Sequence, residues 1–288
     1  MKISNYTYVA AALLALTSCG GRTASKKVAS VSDSLELKIP VAPVMVEDED
    51  ARFKYSFNHF WDNLSPAVYY HSLEEQFANW TWLSNKASLS EGRKSLLEAY
   101  AKDPVRIAAL SGKYLYDPQS PYRNEDLYGV IAQKEGLDNI AALCALNEIG
   151  TPAADFVMED RRGRRSHLYD VKAEYTILFF SNPYCHACKE IIDLLQNEEE
   201  ETVPLLVKSG KVAVVNMYID EDLEQWRSYL KAYPKIWHTA FDPTFTLRNN
   251  EKYNIRAIPS LYLLDENKTV LLKDAPIEKI LDYIYGKL

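Results

Sequence analysis

The sequence predicts an all-α N-terminal domain followed by an α/β C-terminal domain. The chain has 288 residues, a length that suggests about two domains. In residues 51–150, apolar side chains recur at three- and four-residue steps, the spacing of amphipathic helices. In residues 151–288, short runs rich in β-branched residues alternate with helical runs, which is typical of an α/β domain with a partly parallel sheet.

The helices of the first domain are predicted from apolar stripes and capping residues. Ser90, Asp103 and Asn124 are the candidate N-caps, and Pro104 stands at the first helical position after Asp103. Cys144 lies in an Ala-Leu-Cys-Ala-Leu run, where we expect a buried, inert thiol. This half contains no catalytic constellation, so we expect it to recognise partners and not to carry chemistry. The apolar stripes are Phe53, Phe57, Phe60, Trp61 and Leu64, then Leu73, Phe77, Trp80 and Leu83.

The strands and helices of the second domain are predicted from period-two runs and from helical spacing. A basic run at residues 161–165 predicts an exposed hairpin turn around Gly163, with partner binding as the alternative. The predicted strands are Tyr175–Ser181, Val212–Ile219, Ser260–Leu264 and Thr269–Leu272, and the predicted helices are Cys188–Glu200, Leu223–Tyr233 and Ile277–Tyr285.

The first 18 residues are similar to a lipoprotein signal peptide. Lys2 supplies a positive charge, and the apolar run from Val9 to Leu16 is far shorter than the ~20 residues of a membrane-spanning helix. Residues 16–19, Leu-Thr-Ser-Cys, resemble a lipobox. The resemblance implies cleavage before Cys19, acylation of Cys19 and anchoring to a membrane. Gly20 stands where an aspartate often specifies the inner membrane, which favours the outer membrane and a periplasm-facing protein, with the inner membrane as the alternative.

Residues 19–50 are predicted to form a lipidated tether. The segment contains two glycines, two prolines and an acidic run at residues 47–50, and it has no sustained apolar period. About 31 flexible residues would span roughly 30 Å in root-mean-square length. The formal net charge of the chain is -7, which argues against nucleic acid as a partner.

A candidate redox site lies where a predicted buried strand turns into a helix, at Cys185-His186-Ala187-Cys188. Backbone N–H groups and the helix dipole favour the thiolate of Cys185 at the helix N-terminus. Cys188 lies on the same helix face and is near enough to close a disulfide with Cys185. A thiolate at this place attacks a disulfide through a mixed disulfide, which the second cysteine resolves.

Residues 151–288 resemble the thioredoxin fold, and more closely the membrane-anchored TlpA/ResA-type thiol-disulfide oxidoreductases. The resemblance implies a mixed sheet flanked by helices, and it makes Cys185 the nucleophile and Cys188 the resolving thiol. It also implies a cis bond between Ile258 and Pro259 beside the cysteines. Protein thiols or disulfides would be the substrates, a further redox partner would be needed, and neither an organic cofactor nor a metal is expected. The segments that carry the resemblance are Thr151–Phe156, Leu168–Asp170, Pro183–Cys188 and Tyr253–Ser260.

The sequence departs from the family pattern around the cysteines. Phe179 stands where thioredoxin carries a buried acid, so no carboxylate is available there for the proton of Cys188. His186 and Ala187 separate the cysteines without the frequent proline. The direction of electron flow therefore stays open among reduction, oxidation and isomerisation. His186 and Lys189 are candidate supporting residues. Lys189 lies four residues after Cys185 on the helix, where it either supports the thiolate or is simply an exposed lysine.

Four other functions are alternatives to disulfide exchange. A structural zinc site needs four ligands, and one Cys-x-x-Cys without paired histidines disfavours it. A peroxiredoxin-type peroxidase is disfavoured because Asn182 stands in place of the expected threonine. Cu(I) handling stays open, since thiolates and a histidine suit Cu(I). A non-enzymatic, partner-binding lipoprotein also stays open, and a reversible Cys185–Cys188 redox couple would distinguish the enzyme from it.

Overall fold

The computed structural model describes residues 36–196 and 202–287. The predicted signal peptide, residues 1–18, and the predicted lipidation site Cys19 lie outside these described residues. Within residues 36–196 and 202–287, no helix is long and apolar enough to cross a membrane.

The N-terminal region is helical, as predicted. Asp103 and Asn124 cap their helices by accepting from the backbone N–H groups of Arg106 and Leu127, at 3.3 and 3.1 Å. The predicted cap at Ser90 is wrong. The helices are α1 (Glu49–Asn58), α2 (Tyr70–Ser84), α3 (Leu89–Lys102), α4 (Pro104–Ser111), α5 (Glu125–Lys134) and α6 (Asp138–Cys144), with a π-helical turn at Gly112–Tyr116.

The cap of α3 is Ser88, two residues before the predicted position. Its hydroxyl accepts from the backbone N–H of Glu91 at 3.2 Å, and the Glu91 carboxylate accepts from the backbone N–H of Ser88 at 2.9 Å. This reciprocal capping box needs a glutamate three residues after the cap. Glu91 provides it for Ser88 and not for Ser90, which is the physical reason for the difference.

An aromatic cluster forms the centre of the helical region. Phe57, Phe60, Trp61, Phe77 and Trp80 are all buried, and the indole rings of Trp61 and Trp80 lie 5.9 Å apart. Burying one side chain of this size stabilises a fold by about 1.5–3 kcal/mol. The indole N–H of Trp80 donates to the hydroxyl of Ser95 at 3.0 Å, so its polar atom is satisfied. The apolar stripes are therefore core, as their spacing predicts.

Part of the predicted tether packs on this helical region. Leu37 is only 3% exposed, and its backbone N–H donates to the hydroxyl of Ser72 at 3.0 Å. The side-chain amide of Asn63 donates to the carbonyl of Lys38 at 2.7 Å. The prediction of a tether over residues 19–50 is therefore wrong around Leu37 and Lys38, which pack on the helices. A single apolar side chain such as Leu37 can anchor a segment whose sequence shows no periodic apolar pattern.

The C-terminal region is a mixed seven-stranded sheet flanked by helices, which confirms the predicted fold class. Its strand order is β2-β1-β5-β4-β3-β6-β7. The central strand β3 pairs in parallel with β4 and antiparallel with β6. The strands are β1 (Val157–Asp160), β2 (Arg165–His167), β3 (Tyr175–Ser181), β4 (Val212–Tyr218), β5 (His238–Phe241), β6 (Ser260–Leu264) and β7 (Val270–Leu272), and the helices are α7 (His186–Leu195), α8 (Thr202–Lys208), α9 (Leu223–Tyr229) and α10 (Ile277–Tyr285).

Four of these elements were not predicted: β1, β2, β5 and α8. Each is short, three to seven residues, so none is long enough to show a clear apolar period, and β2 is exposed along its whole length. The hairpin predicted around Gly163 is present, and it joins β1 to β2 with Gly163 at a φ of 74°. A positive φ at this turn costs a glycine little.

The two faces of β3 belong to different buried clusters. Ile177 and Phe179 face the cluster that contains Cys188 and Ile192 of α7. The alternate side chains of β3 face a second cluster on the other side of the sheet. The helix that carries the cysteines therefore packs on the Phe179 face of the sheet.

Candidate redox site

Cys185 is the N-cap of α7, directly beyond the C-terminal end of β3. Its sulfur accepts from the backbone N–H of Cys188 at 3.1 Å. Unpaired N–H groups and the dipole of a helix N-terminus stabilise a thiolate and lower its pKa. The sequence produces this placement because a buried strand ends at Ser181 and the helical apolar spacing starts five residues later.

The structure brings the two predicted cysteines together as a Cys185–Cys188 disulfide, with their Cα atoms 5.1 Å apart. Cys185 is half-buried, whereas Cys188 is 1% exposed and packs in the cluster with Phe179 and Ile192. Only the sulfur of Cys185 is thus open to a large partner. The proton of Cys188 has no carboxylate at position 179 to accept it, since Phe179 fills that place.

The loop before β6 lies against Cys185. The Ile258–Pro259 peptide bond is cis, as the family resemblance implies. The carbonyl oxygen of Ile258 lies 3.8 Å from the sulfur of Cys185. A backbone segment at this place can pair with an extended chain that presents a cysteine to Cys185, which is a form of strand addition.

The two candidate supporting residues both point to partners one turn further along α7. The ring Nδ1 of His186 lies 3.4 Å from the carboxylate of Glu190, and its side chain is 86% exposed. Lys189 pairs with Asp193, which raises the pKa of the Lys189 ammonium. Of the two alternatives for Lys189, the structure favours an exposed lysine, because its ammonium group binds Asp193 along the same helix face.

Sequence reasoning missed a cluster of buried charges between the two regions. Glu125 and Asp126 of α5 meet Arg256, Lys273 and Asp274 of the C-terminal region. The ammonium of Lys273 donates to Asp126 at 2.8 Å, and the guanidinium of Arg256 donates to Asp274 at 2.9 Å. Each of these charges looks like a solvated residue in the sequence, and no local signal indicates that they meet.

Burial governs the protonation of this charged cluster and of the thiol beside it. Desolvation raises the pKa of Glu125 to about 7, although Lys273 and Arg256 act in the opposite direction. Desolvation, together with the charge of Glu125, raises the pKa of Cys144 to about 12. Cys144 is a free, buried cysteine, so the expectation of an inert thiol agrees with its surroundings.

Comparison with known proteins covers both regions. A family model described as thioredoxin-like matches residues 173–270, and a domain of unknown function, DUF5106, matches residues 17–139. The crystal structure of a thioredoxin-like protein from Bacteroides caccae is 31% identical and superposes with a TM-score of 0.76. The match covers 88% of this chain and 99% of that protein.

Two proteins of Bacillus subtilis match part of the chain. The thiol-disulfide oxidoreductase ResA of Bacillus subtilis is 25% identical over 122 residues, which are 42% of this chain and 64% of ResA, less than two thirds of its length. The thioredoxin-like protein YneN of the same organism is 26% identical over 121 residues, 42% of this chain and 68% of YneN.

Proposed function

Because this chain belongs to the thioredoxin-like family, we propose that it is a thiol-disulfide oxidoreductase that exchanges disulfides with protein substrates. The observation that carries the proposal is Cys185 at the N-cap of α7, paired with the buried Cys188 and 3.8 Å from the carbonyl of Ile258. ResA, which carries the name thiol-disulfide oxidoreductase, supports the assignment.

The exchange begins with the reduced protein. The Cys185 thiolate attacks one sulfur of a substrate disulfide, a new S–S bond forms, and the substrate's own S–S bond breaks. The departing substrate sulfur leaves as a thiolate and takes up a proton. Cys188 then loses its proton and attacks the sulfur of Cys185, which releases the second substrate thiol. Two electrons have passed to the substrate, and the protein holds the Cys185–Cys188 disulfide.

The reverse sequence oxidises a substrate dithiol, and in either direction a second redox partner restores the starting state. The helix N-terminus stabilises Cys185 both as the attacking and as the leaving thiolate. The burial of Cys188 prevents a protein substrate from attacking that sulfur. The backbone beside Pro259 provides pairing groups for the chain that carries the substrate cysteine.

We further propose that Cys19 is acylated and holds the protein at the outer membrane, facing the periplasm. The lipobox-like residues 16–19 and the short apolar run before them support this location. Metabolic labelling with a fatty acid should mark the wild-type protein. Cys19→Ala should lose the label and move to the soluble fraction, and a labelled Cys19→Ala protein would contradict the proposal.

The domain limits are also part of the proposal: residues 51–150 as the helical domain and 151–288 as the thioredoxin-like domain. The family matches at residues 17–139 and 173–270 support a division between them. Recognition of partners falls to the first domain in this view, because the cysteines of the exchange site both lie in the second.

Trapping tests the proposed activity. Wild-type protein with dithiothreitol should reduce insulin, and Cys185→Ser should not. Cys188→Ser should accumulate a mixed disulfide on Cys185, because the resolving thiol is missing. Cys144→Ala is the matched control, and it should behave like wild type. A Cys185–Cys188 pair that cannot be reversibly oxidised and reduced would favour the non-enzymatic, partner-binding alternative.

A further inference from the structure

A groove of about 250 Å³ adjoins the redox site. Its walls include Ala187 and Ile191 of the α7 region, Pro259, and Ile277 at the start of α10. Ala187 lies between the two cysteines, and Pro259 follows the carbonyl that contacts Cys185, so the groove is continuous with the exchange site. The helical region also contributes to it, through Arg123.

Arg123 is held firmly at this place. Its Nε donates to the carboxylate of Asp274 at 3.2 Å, and its Nη1 donates to the carbonyl of Ser120 at 3.3 Å. The side chain of Arg123 is 13% exposed and that of Asp274 is 9% exposed. Two partners fix the orientation of the guanidinium, and its low exposure limits screening by solvent.

The Asp274 carboxylate also holds the residues around Pro259. It accepts from the hydroxyl of Ser260 at 2.8 Å and from the guanidinium of Arg256 at 2.9 Å. Ser260 directly follows Pro259, and Arg256 lies two residues before Ile258. One carboxylate therefore connects Arg123 of the helical region to both sides of the loop that contacts Cys185.

Further contacts fix the same loop against the helical region. The amide of Asn254 donates to Glu125, and the guanidinium of Arg256 stacks over the ring of Tyr116 with its central carbon 4.7 Å from the ring centre. Both partners belong to the N-terminal helical region. The loop that presents Pro259 to a substrate is thus positioned by contacts from outside the thioredoxin-like domain.

We propose that Arg123 is a positioning residue for protein substrates: it forms the end of the groove and, through Asp274, holds the loop around Pro259. This inference rests on the proposed function, because it concerns substrates that react at Cys185. The occupant is an extended polypeptide segment that flanks the substrate cysteine and places an aliphatic side chain between Ile191 and Ile277. A small disulfide without a flanking chain makes no use of the groove.

The test compares two substrates in the full-length protein. Second-order rate constants are measured with insulin and with 2-hydroxyethyl disulfide, and the ratio of the two is the readout. Arg123→Met removes the guanidinium and keeps most of the aliphatic stem, so the insulin rate should fall about tenfold and the ratio at least fivefold. Arg123→Lys keeps the charge without the two-point contact, and its ratio should fall at least twofold.

Arg106→Ala is the matched control. Arg106 is a mostly buried arginine of the same helical region, but its partners Asp103, Ser65 and Val68 also belong to that region. This variant should lose stability and keep the wild-type ratio. A merely structural role of Arg123 would move both rates together and would leave the ratio unchanged.

An unchanged ratio in Arg123→Met, or an equal fall in Arg106→Ala, would overturn the inference while the proposed function stands. If Arg123→Met does not fold, the ratio in Arg123→Lys decides by itself: a twofold fall supports the inference and no fall overturns it. A wild-type protein that reduces neither disulfide would refute the proposed function, and the inference with it. That result is distinct, because it appears before any variant is compared.

Discussion

The two regions of this molecule contain cysteines in opposite environments. Cys144 ends α6 in the helical region, is 1% exposed, and has its pKa raised to about 12 by burial and by Glu125. Cys185 caps the N-terminus of α7 in the thioredoxin-like region, is half-buried, and its sulfur accepts from the backbone N–H of Cys188. The same side chain is thus inert at the buried end of one helix and poised for exchange at the start of another.

The interiors of the two regions differ in character from the contact that joins them. The cores are apolar, with an aromatic cluster around Trp80 in one and Phe179 beneath the cysteines in the other. The contact between the regions contains buried charges such as Glu125 and Lys273. Buried ion pairs recover little more than their desolvation cost. The apolar cores therefore supply most of the stability, and the buried ion pairs between the regions add little to it.

The largest expected effect comes from replacing each cysteine in turn. Cys185→Ser should lower the rate of insulin reduction by at least about 10³-fold, because the attacking thiolate is lost. Cys144→Ala should leave this rate within about twofold of wild type, since a buried thiol with so high a pKa does not attack disulfides. Turbidity of reduced insulin measures both variants. A large loss in Cys144→Ala would remove the contrast between the regions.

Alkylation of the reduced native protein compares the reactivities of Cys185 and Cys144 directly. With iodoacetamide at pH 8, Cys185 should react first and Cys144 about 10³-fold or more slowly, since a thiol with a pKa near 12 is about 10⁻⁴ ionised there. Mass spectrometry of peptides at successive times gives the order. Alkylation of Cys188 before Cys185 would reverse the assigned roles of nucleophile and resolving thiol.

A matched pair of core variants tests whether the two cores differ in function. Phe77→Ala and Phe179→Ala each remove a fully buried ring and should lower the free energy of unfolding by about 3–5 kcal/mol. Urea unfolding measures this loss. Phe179→Ala alone should change how fast Cys188 resolves a mixed disulfide, because Phe179 packs with Cys188. Equal resolution rates in both variants would contradict that distinction.

The smallest expected effect concerns the charges between the regions. In the folded protein the pKa of Glu125 is about 7, against 4.5 as the ordinary value. Between these pH values the carboxyl of Glu125 binds more protons in the folded state than in the unfolded state, so its contribution to stability falls as the pH rises from 4.5 through 7. This carboxyl accounts for about 3 kcal/mol of that fall. The groups that face it are Lys273, Arg256, Asp274 and Asn254.

Glu125→Gln should remove this part of the pH dependence, because the amide does not titrate. Urea unfolding of the wild type and the variant at pH values from 4.5 to 8 gives the difference in stability at each pH. The wild type should lose stability relative to the variant as the pH rises, and a difference that stays constant would show that Glu125 ionises normally.

Local patterns predicted the strong elements of both regions. The structure has strands at Tyr175–Ser181 and Ser260–Leu264 and a helix at Ile277–Tyr285, the limits that the sequence predicts. These segments are long or strongly apolar, so the secondary structure that their residue types favour is also the one in which their apolar side chains are buried. The short strands β1 and β5 form through pairing with each other and, for β5, with β4, all far apart in the chain, and a segment of four residues carries too little pattern to show it. The strand β2 pairs only with β1, across the hairpin at Gly163.

Local residue patterns were sufficient to predict the two fold classes and the place of the exchange site, because a Cys-x-x-Cys between a buried strand and a helix involves only neighbouring residues. The long-range contacts came from the folded chain alone: Arg123 reaches Asp274, 151 residues away, and Lys273 reaches Asp126, 147 residues away. The burial of Glu125, which raises its pKa, likewise follows from the contact between the two regions. A salt bridge or a buried charge depends on which distant segments meet, and that information is absent from any local spacing of residue types.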